Sequence, residues 1–164
     1  MDGDGRIEVV IALTDKIHAY RWDNTPMWTA NISDVSGAAA PSLFDFEGDG
    51  KMDVVFGDEQ HLFVFDGQTG AEKYRADRNS RTGMEAPVIA DVDNDGHADI
   101  LGVSDAGSGK GIKALSNVGN DWISARRVWN EYAYRVHNVT ESVELPFPEP
   151  RRWEGARYQA GRCR

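Results

Sequence analysis

Eighteen residues, APSLFDFEGDGKMDVVFG at 40–57, return in closely similar form as APVIADVDNDGHADILGV at 86–103. Each copy opens on Ala-Pro and a short apolar run, passes through an acidic glycine loop, and ends in Asp followed by apolar residues. A third copy begins the chain in mid-motif as MDGDGRIEVVIA. The Asp-Gly pair places its glycine at Gly5, Gly50 and Gly96, spacings of 45 and 46 residues. Repetition at such a period means like units, each of which buries its apolar face against its neighbours.

The units also match beyond the loops. EVVIA, DVVFG and DILGV come after the three glycines as short runs with strand character. KIHAY, HLFVF and GIKAL supply a second strand candidate, and PMWTA, AEKY and DWIS a third after a turn. With the segment ahead of each loop, this makes four short antiparallel strands per unit. The chain is therefore expected to be all-β, a partial β-propeller of four-stranded antiparallel blades with about two full units and part of a third. A β-sandwich with accidental self-similarity is the competing reading, and three loops matching in register count against it.

Aligned on the glycine, the loops read D-x-[DN]-x-D-G-x-x-[DE]. The third holds Asp91, Asp93, Asp95 and Asp99; the second holds Asp45, Glu47, Asp49 and Asp53. The first offers Asp2, Asp4 and Glu8, its leading position falling before Met1. Carboxylates at alternate positions of a tight turn suit Ca2+, which takes six to eight hard oxygen ligands. The residue after each glycine, Arg6, Lys51 or His97, is expected to add a main-chain carbonyl. Without a cation these acids repel one another, so binding would couple to folding. A solvated acidic turn, the plainer reading, needs neither the alternation nor its recurrence. An EF-hand would need Glu at the twelfth position and flanking helices. That position is Gly102 or Phe56, and both loops run into strand sequence.

DFEGDGKMD and DVDNDGHAD, each placed between Ala-Pro and a strand, resemble the calcium loops of FG-GAP repeats, also called VCBS-like or integrin-α-type repeats. The resemblance covers residues 1–120. The segment DWISARRVWNEYAYRVHNV at 121–139 resembles the stretch found after such repeats in large exported bacterial proteins. The family implies a propeller, usually seven-bladed, with structural calcium between the first two strands of a blade. It also implies adhesion or binding of protein or carbohydrate at the cell surface, or service as an accessory domain of a secreted polysaccharide lyase or other carbohydrate-active enzyme. Glu47 departs from the family pattern, which has Asp or Asn there. Two units and part of a third do not close a ring, so the remaining blades are expected in a longer parent chain.

Eleven of the 27 acidic residues lie in the three loops, so two calcium ions would take the net charge from −9 to −5 and three to −3. A chain this acidic lacks the clustered Lys and Arg of a nucleic-acid binder. No apolar run reaches the length of a membrane span, no basic apolar leader is visible, and the single Cys163 forms no internal disulfide. His18, His61, His97 and His137 share no metal-ligand spacing, and no nucleophile or phosphate motif is present, so no catalysis is expected. The chain divides into repeats at 1–123, an aromatic-basic segment at 124–143 expected to pack on the last blade, and a Pro/Arg-rich tail at 144–164 expected to be poorly ordered. Export to the cell surface is expected from the resemblance and from the abundance of calcium outside cells.

Overall fold

The computed structural model describes residues 1–81, 83–105, 107, 110–119, 121–129, 140 and 142–144. Ten β-strands form three antiparallel sheets, and the described residues hold no α-helix. The first sheet is β1 (Glu8–Ala12), β2 (Lys16–Arg21) and β3 (Pro26–Asn31) in that order. The middle sheet is β4 (Ser42–Phe44), β5 (Asp53–Gly57), β6 (His61–Phe65) and β7 (Glu72–Asp77). The third is β8 (Val88–Ala90), β9 (Asp99–Ser104) and β10 (Gly111–Ser116). Apart from DWIS, the expected strands are found with ends within three residues, because β-branched and aromatic side chains fit a pleated, half-buried surface.

Side chains alternate across a strand, so each sheet has two faces to cover. In the middle sheet the central strands β5 and β6 are covered on both. Val54, Phe56, Phe63 and Phe65 join Ile17, Ala19 and Trp28 in one apolar cluster. Val55, Leu62 and Val64 join Phe44, Phe46, Ile89 and Ile100 in a second. The register Val54↔Phe65, Val55↔Val64 and Phe56↔Phe63 keeps like-facing residues opposite one another. In the first sheet only one face is covered: Val10 and Ala12 pack on the shared cluster, whereas Val9 and Ile11 are exposed.

The middle sheet has the expected four strands, and the other two have three. The third-strand candidate DWIS forms no ladder. Ile123 instead donates its N–H to the Phe46 carbonyl at 2.9 Å and accepts from the Ala98 N–H at 3.0 Å. Those partners belong to different units, so the backbone here straps two units together and cannot also extend a sheet. The Trp122 ring rests on Phe46, centroids 4.5 Å apart. Ala125 and Trp129 pack against the same cluster. The rest of the aromatic-basic segment (130–139) and the tail at 145–164 lie outside the described residues.

Candidate metal centres

All three loops share one backbone course. Counting from the leading acid, the fourth position is Gly3, Gly48 or Asn94, with φ of 80°, 72° and 65°. The sixth is Gly5, Gly50 or Gly96, with φ of 79°, 87° and 91°. Two left-handed residues with one residue between them fold the loop back on itself, and Gly or Asn is what such positions tolerate. The fifth-position carboxylate then caps the N–H two residues on: Asp4 to Arg6 at 2.7 Å, Asp49 to Lys51 at 2.9 Å, Asp95 to His97 at 2.8 Å. Arg6, Lys51 and His97 thus enter the loops as N–H donors.

In the third loop, carboxylate oxygens of Asp91, Asp93 and Asp99 lie within 4.8 Å of one another. Asp93 accepts from the Asp95 N–H at 3.1 Å. Asp99, buried at the start of β9, accepts from the Val92 N–H at 2.9 Å and the Ser116 hydroxyl at 2.5 Å. Asp91 is 8% exposed, and its Oδ1 is buried with no hydrogen-bond partner. Burying a carboxylate oxygen without a partner costs several kcal/mol, on the order of 1–3 or more. A hard cation at this point would satisfy it, so the residues present fit Ca2+. The His97 ring bonds the Trp122 carbonyl through Nδ1 at 2.7 Å. A cleft of about 390 Å³ opens beside the loop, lined by Asp91, Asn94 and Asp95 together with Ser124, Arg126 and Arg127.

The first loop gathers oxygens of Asp2, Asp4 and Glu8 within the same 4.8 Å. Asp2 accepts from the Asp4 N–H at 3.0 Å, as Asp93 does from Asp95. Glu8 also receives the Met1 amino group at 2.8 Å.

The middle loop is arranged differently. Asp45 spends both oxygens on its own loop, accepting from the Asp49 N–H at 3.0 Å and the Gly50 N–H at 2.9 Å. Glu47, one methylene longer than Asp2 or Asp93, does not make the third-to-fifth-position turn bond. Its carboxylate reaches instead to the Lys73 ammonium. Lys73 also donates to both oxygens of Asp53, at 3.2 and 3.0 Å. Burial pushes the Asp53 carboxyl up to about 7; the Lys73 ammonium pulls against this and the Glu47 carboxylate adds to it. Partial burial works to lower Lys73, but bonds to Glu47 and Asp53 prevail and hold the amine above its ordinary value. Asp45, Glu47, Asp49 and Asp53 therefore do not converge as a trio in the way that Asp91, Asp93 and Asp99 do.

Sequence spacing located every loop acid but not the sorting among them. Asp49 and Asp95 serve the backbone, while Asp2, Asp4, Glu8 and Asp91, Asp93, Asp99 converge. Lys73 and Ser116 were missed because they arrive from strands remote in sequence. The Gly, Gly, Asn series at the fourth position was a legible signal of the second left-handed residue.

A family model described as an FG-GAP-like repeat matches residues 1–56 and 45–102. No protein of curated function matches the chain. Among solved structures, the crystal structure of the V. cholerae biofilm matrix protein Bap1 is similar over 85% of this chain, with a TM-score of 0.75 and 24% identity. The likeness covers 24% of that longer chain. With two overlapping family matches that span most of its described sheets and hold all three acidic loops, this chain belongs to the FG-GAP-like repeat family.

Proposed function

We propose that the three sheets are successive blades of a β-propeller, held by structural calcium in the first and third loops, and that the module serves recognition or adhesion outside a bacterial cell without catalysis of its own. Three like units facing one another through shared apolar clusters support the propeller reading. The partnerless Asp91 Oδ1, beside Asp93 and Asp99, is the observation that carries the calcium reading. Asp91, Asp93 and Asp99 would hold one ion, and Asp2, Asp4 and Glu8 another. Bound calcium would neutralise the clustered carboxylates; Asp99 would fix it to β9 and Asp91 to the end of β8. The partner is proposed to be a protein or carbohydrate met in an extracellular matrix, in line with the biofilm matrix protein that shares this fold.

The test is calcium binding by calorimetry on the wild type and Asp91→Asn, with thermal unfolding in calcium and in chelator. A ligand at a hundredfold its Kd stabilises by about 2.7 kcal/mol. The wild type should gain several degrees in calcium, and Asp91→Asn should lose one equivalent and the share of that gain due to the third loop, about half. An unchanged midpoint after complete metal removal would sink the reading. Turnover of a polysaccharide by this chain alone would overturn the non-catalytic assignment.

A further inference from the structure

The middle loop differs from its neighbours at two places that touch each other. At the third loop position Glu47 stands where the other loops have Asp2 and Asp93. The second place lies on the outer strand. In the middle unit the β6–β7 register pairs Val64 with Tyr74 and Phe65 with Glu72, so Lys73 is the extra residue of a bulge. In the first unit Ala19 pairs with Trp28 and Tyr20 with Pro26, so Met27 is the extra residue of the same bulge. A bulge re-aims the side chain it carries. Met27 packs on the apolar cluster, but Lys73, at the corresponding place, brings an ammonium onto Glu47 and Asp53.

We propose that the middle unit has replaced the metal of its loop by a built-in cation, the Lys73 ammonium, so that this loop closes without calcium and excludes it while the lysine is in place. The longer Glu47 is the matching change: an Asp would cap its own turn, as Asp2 and Asp93 do, and fall short of the lysine. The remaining acids are satisfied from within. Asp45 takes two loop N–H groups, and Asp49 takes the Lys51 N–H. No partnerless carboxylate oxygen like that of Asp91 is left among them. A divalent ion entering here would have to displace an ammonium bonded to three carboxylate oxygens. The middle sheet, whose central strands β5 and β6 are buried on both faces, would then hold its shape at any calcium level, and metal would control only the loops on either side.

The inference rests on calcium binding at the outer loops, and its experiment separates the two. Calcium stoichiometry and thermal midpoints would be measured for the wild type, Lys73→Met (the residue of the first unit), Lys73→Gln as a better-tolerated uncharged variant, and Lys73→Arg. In chelator, Lys73→Met and Lys73→Gln should lose several degrees against the wild type and Lys73→Arg far less. Adding Glu47→Gln to Lys73→Gln should return part of that loss, since one stranded charge is gone. In calcium, Lys73→Gln should bind one equivalent more than the wild type and regain its midpoint. Equal stoichiometry in the wild type and Lys73→Gln, or midpoints in chelator indifferent to the lysine, would overturn the inference. Failure of the outer-loop reading would appear separately, as a wild type whose binding is unaffected by Asp91→Asn.

Discussion

The indole Nε1 of Trp28 donates a 2.8 Å hydrogen bond to the carbonyl of Gly67, 39 residues away, and both groups are buried. Trp28 stands on β3 of the first unit and Gly67 in the turn after β6 of the second. The same ring lies over Gly70, where a Cβ would come within 2.6 Å of it. The DGQTG turn therefore does more than reverse the chain; its glycines make a bed for the neighbouring unit's tryptophan. Two repeat units are joined here by one side chain that fills a space and satisfies a carbonyl together.

Shortening that side chain separates the two contributions. Trp28→Phe keeps much of the apolar contact but leaves the Gly67 carbonyl buried and unpaired, at a cost of about 1–3 kcal/mol. Trp28→Ala adds a cavity and should cost about 3–5 kcal/mol. Urea unfolding followed by far-ultraviolet circular dichroism would read both. A Trp28→Phe chain as stable as the wild type would mean that the hydrogen bond contributes nothing beyond packing.

Asp58 organises the β5–β6 turn from a buried position, 2% exposed. Its Oδ1 accepts from the N–H groups of Gln60 and His61 at 2.8 and 2.7 Å, and its Oδ2 from the Ser33 N–H at 2.7 Å. Its backbone carbonyl receives the Arg78 guanidinium. Asp58→Ala strands three donors and should destabilise by about 3 kcal/mol. Asp58→Asn keeps an acceptor for the turn but points an amide N–H₂ at the Ser33 donor, so a smaller loss is expected. A thermal midpoint as low in the Asn variant as in the Ala variant would contradict this division of labour.

Asp66 gives a pH dependence with a definite sign. Its burial acts to raise the carboxyl, but the Thr69 hydroxyl and N–H, both at 2.7 Å, and the Gln68 N–H at 3.1 Å outweigh that and hold it below the ordinary value. A depressed folded-state pKa means the unfolded chain takes up the proton first as pH falls. The contribution of Asp66 is therefore fully present above the ordinary aspartate pKa of about 4 and is lost as pH drops through the lower folded value. Asp66→Asn should flatten the stability profile of the chain in that acid window and leave its slope near neutrality unchanged. Denaturation midpoints of both chains between about pH 2 and 7 would test it.

What the sequence determined was local. Strand positions came from apolar alternation, because a pleated strand exposes every second side chain to a different environment. The loop backbone came from Asp-x-Asp-Gly, because a short carboxylate caps an N–H two residues on and glycine accepts positive φ. What the tertiary structure decided was how those pieces face one another. DWIS has the composition of a strand, yet Ile123 gives its backbone to Phe46 and Ala98 of two different units. Asp91 and Asp45 occupy the same loop position; only the surroundings leave Oδ1 of one without a partner and both carboxylate oxygens of the other bonded. Lys73 lies 20 residues from Asp53 and reaches it only because a bulge in β7 turns its side chain toward the loop. Such choices depend on charge and burial summed over several strands, and no window of sequence contains that sum.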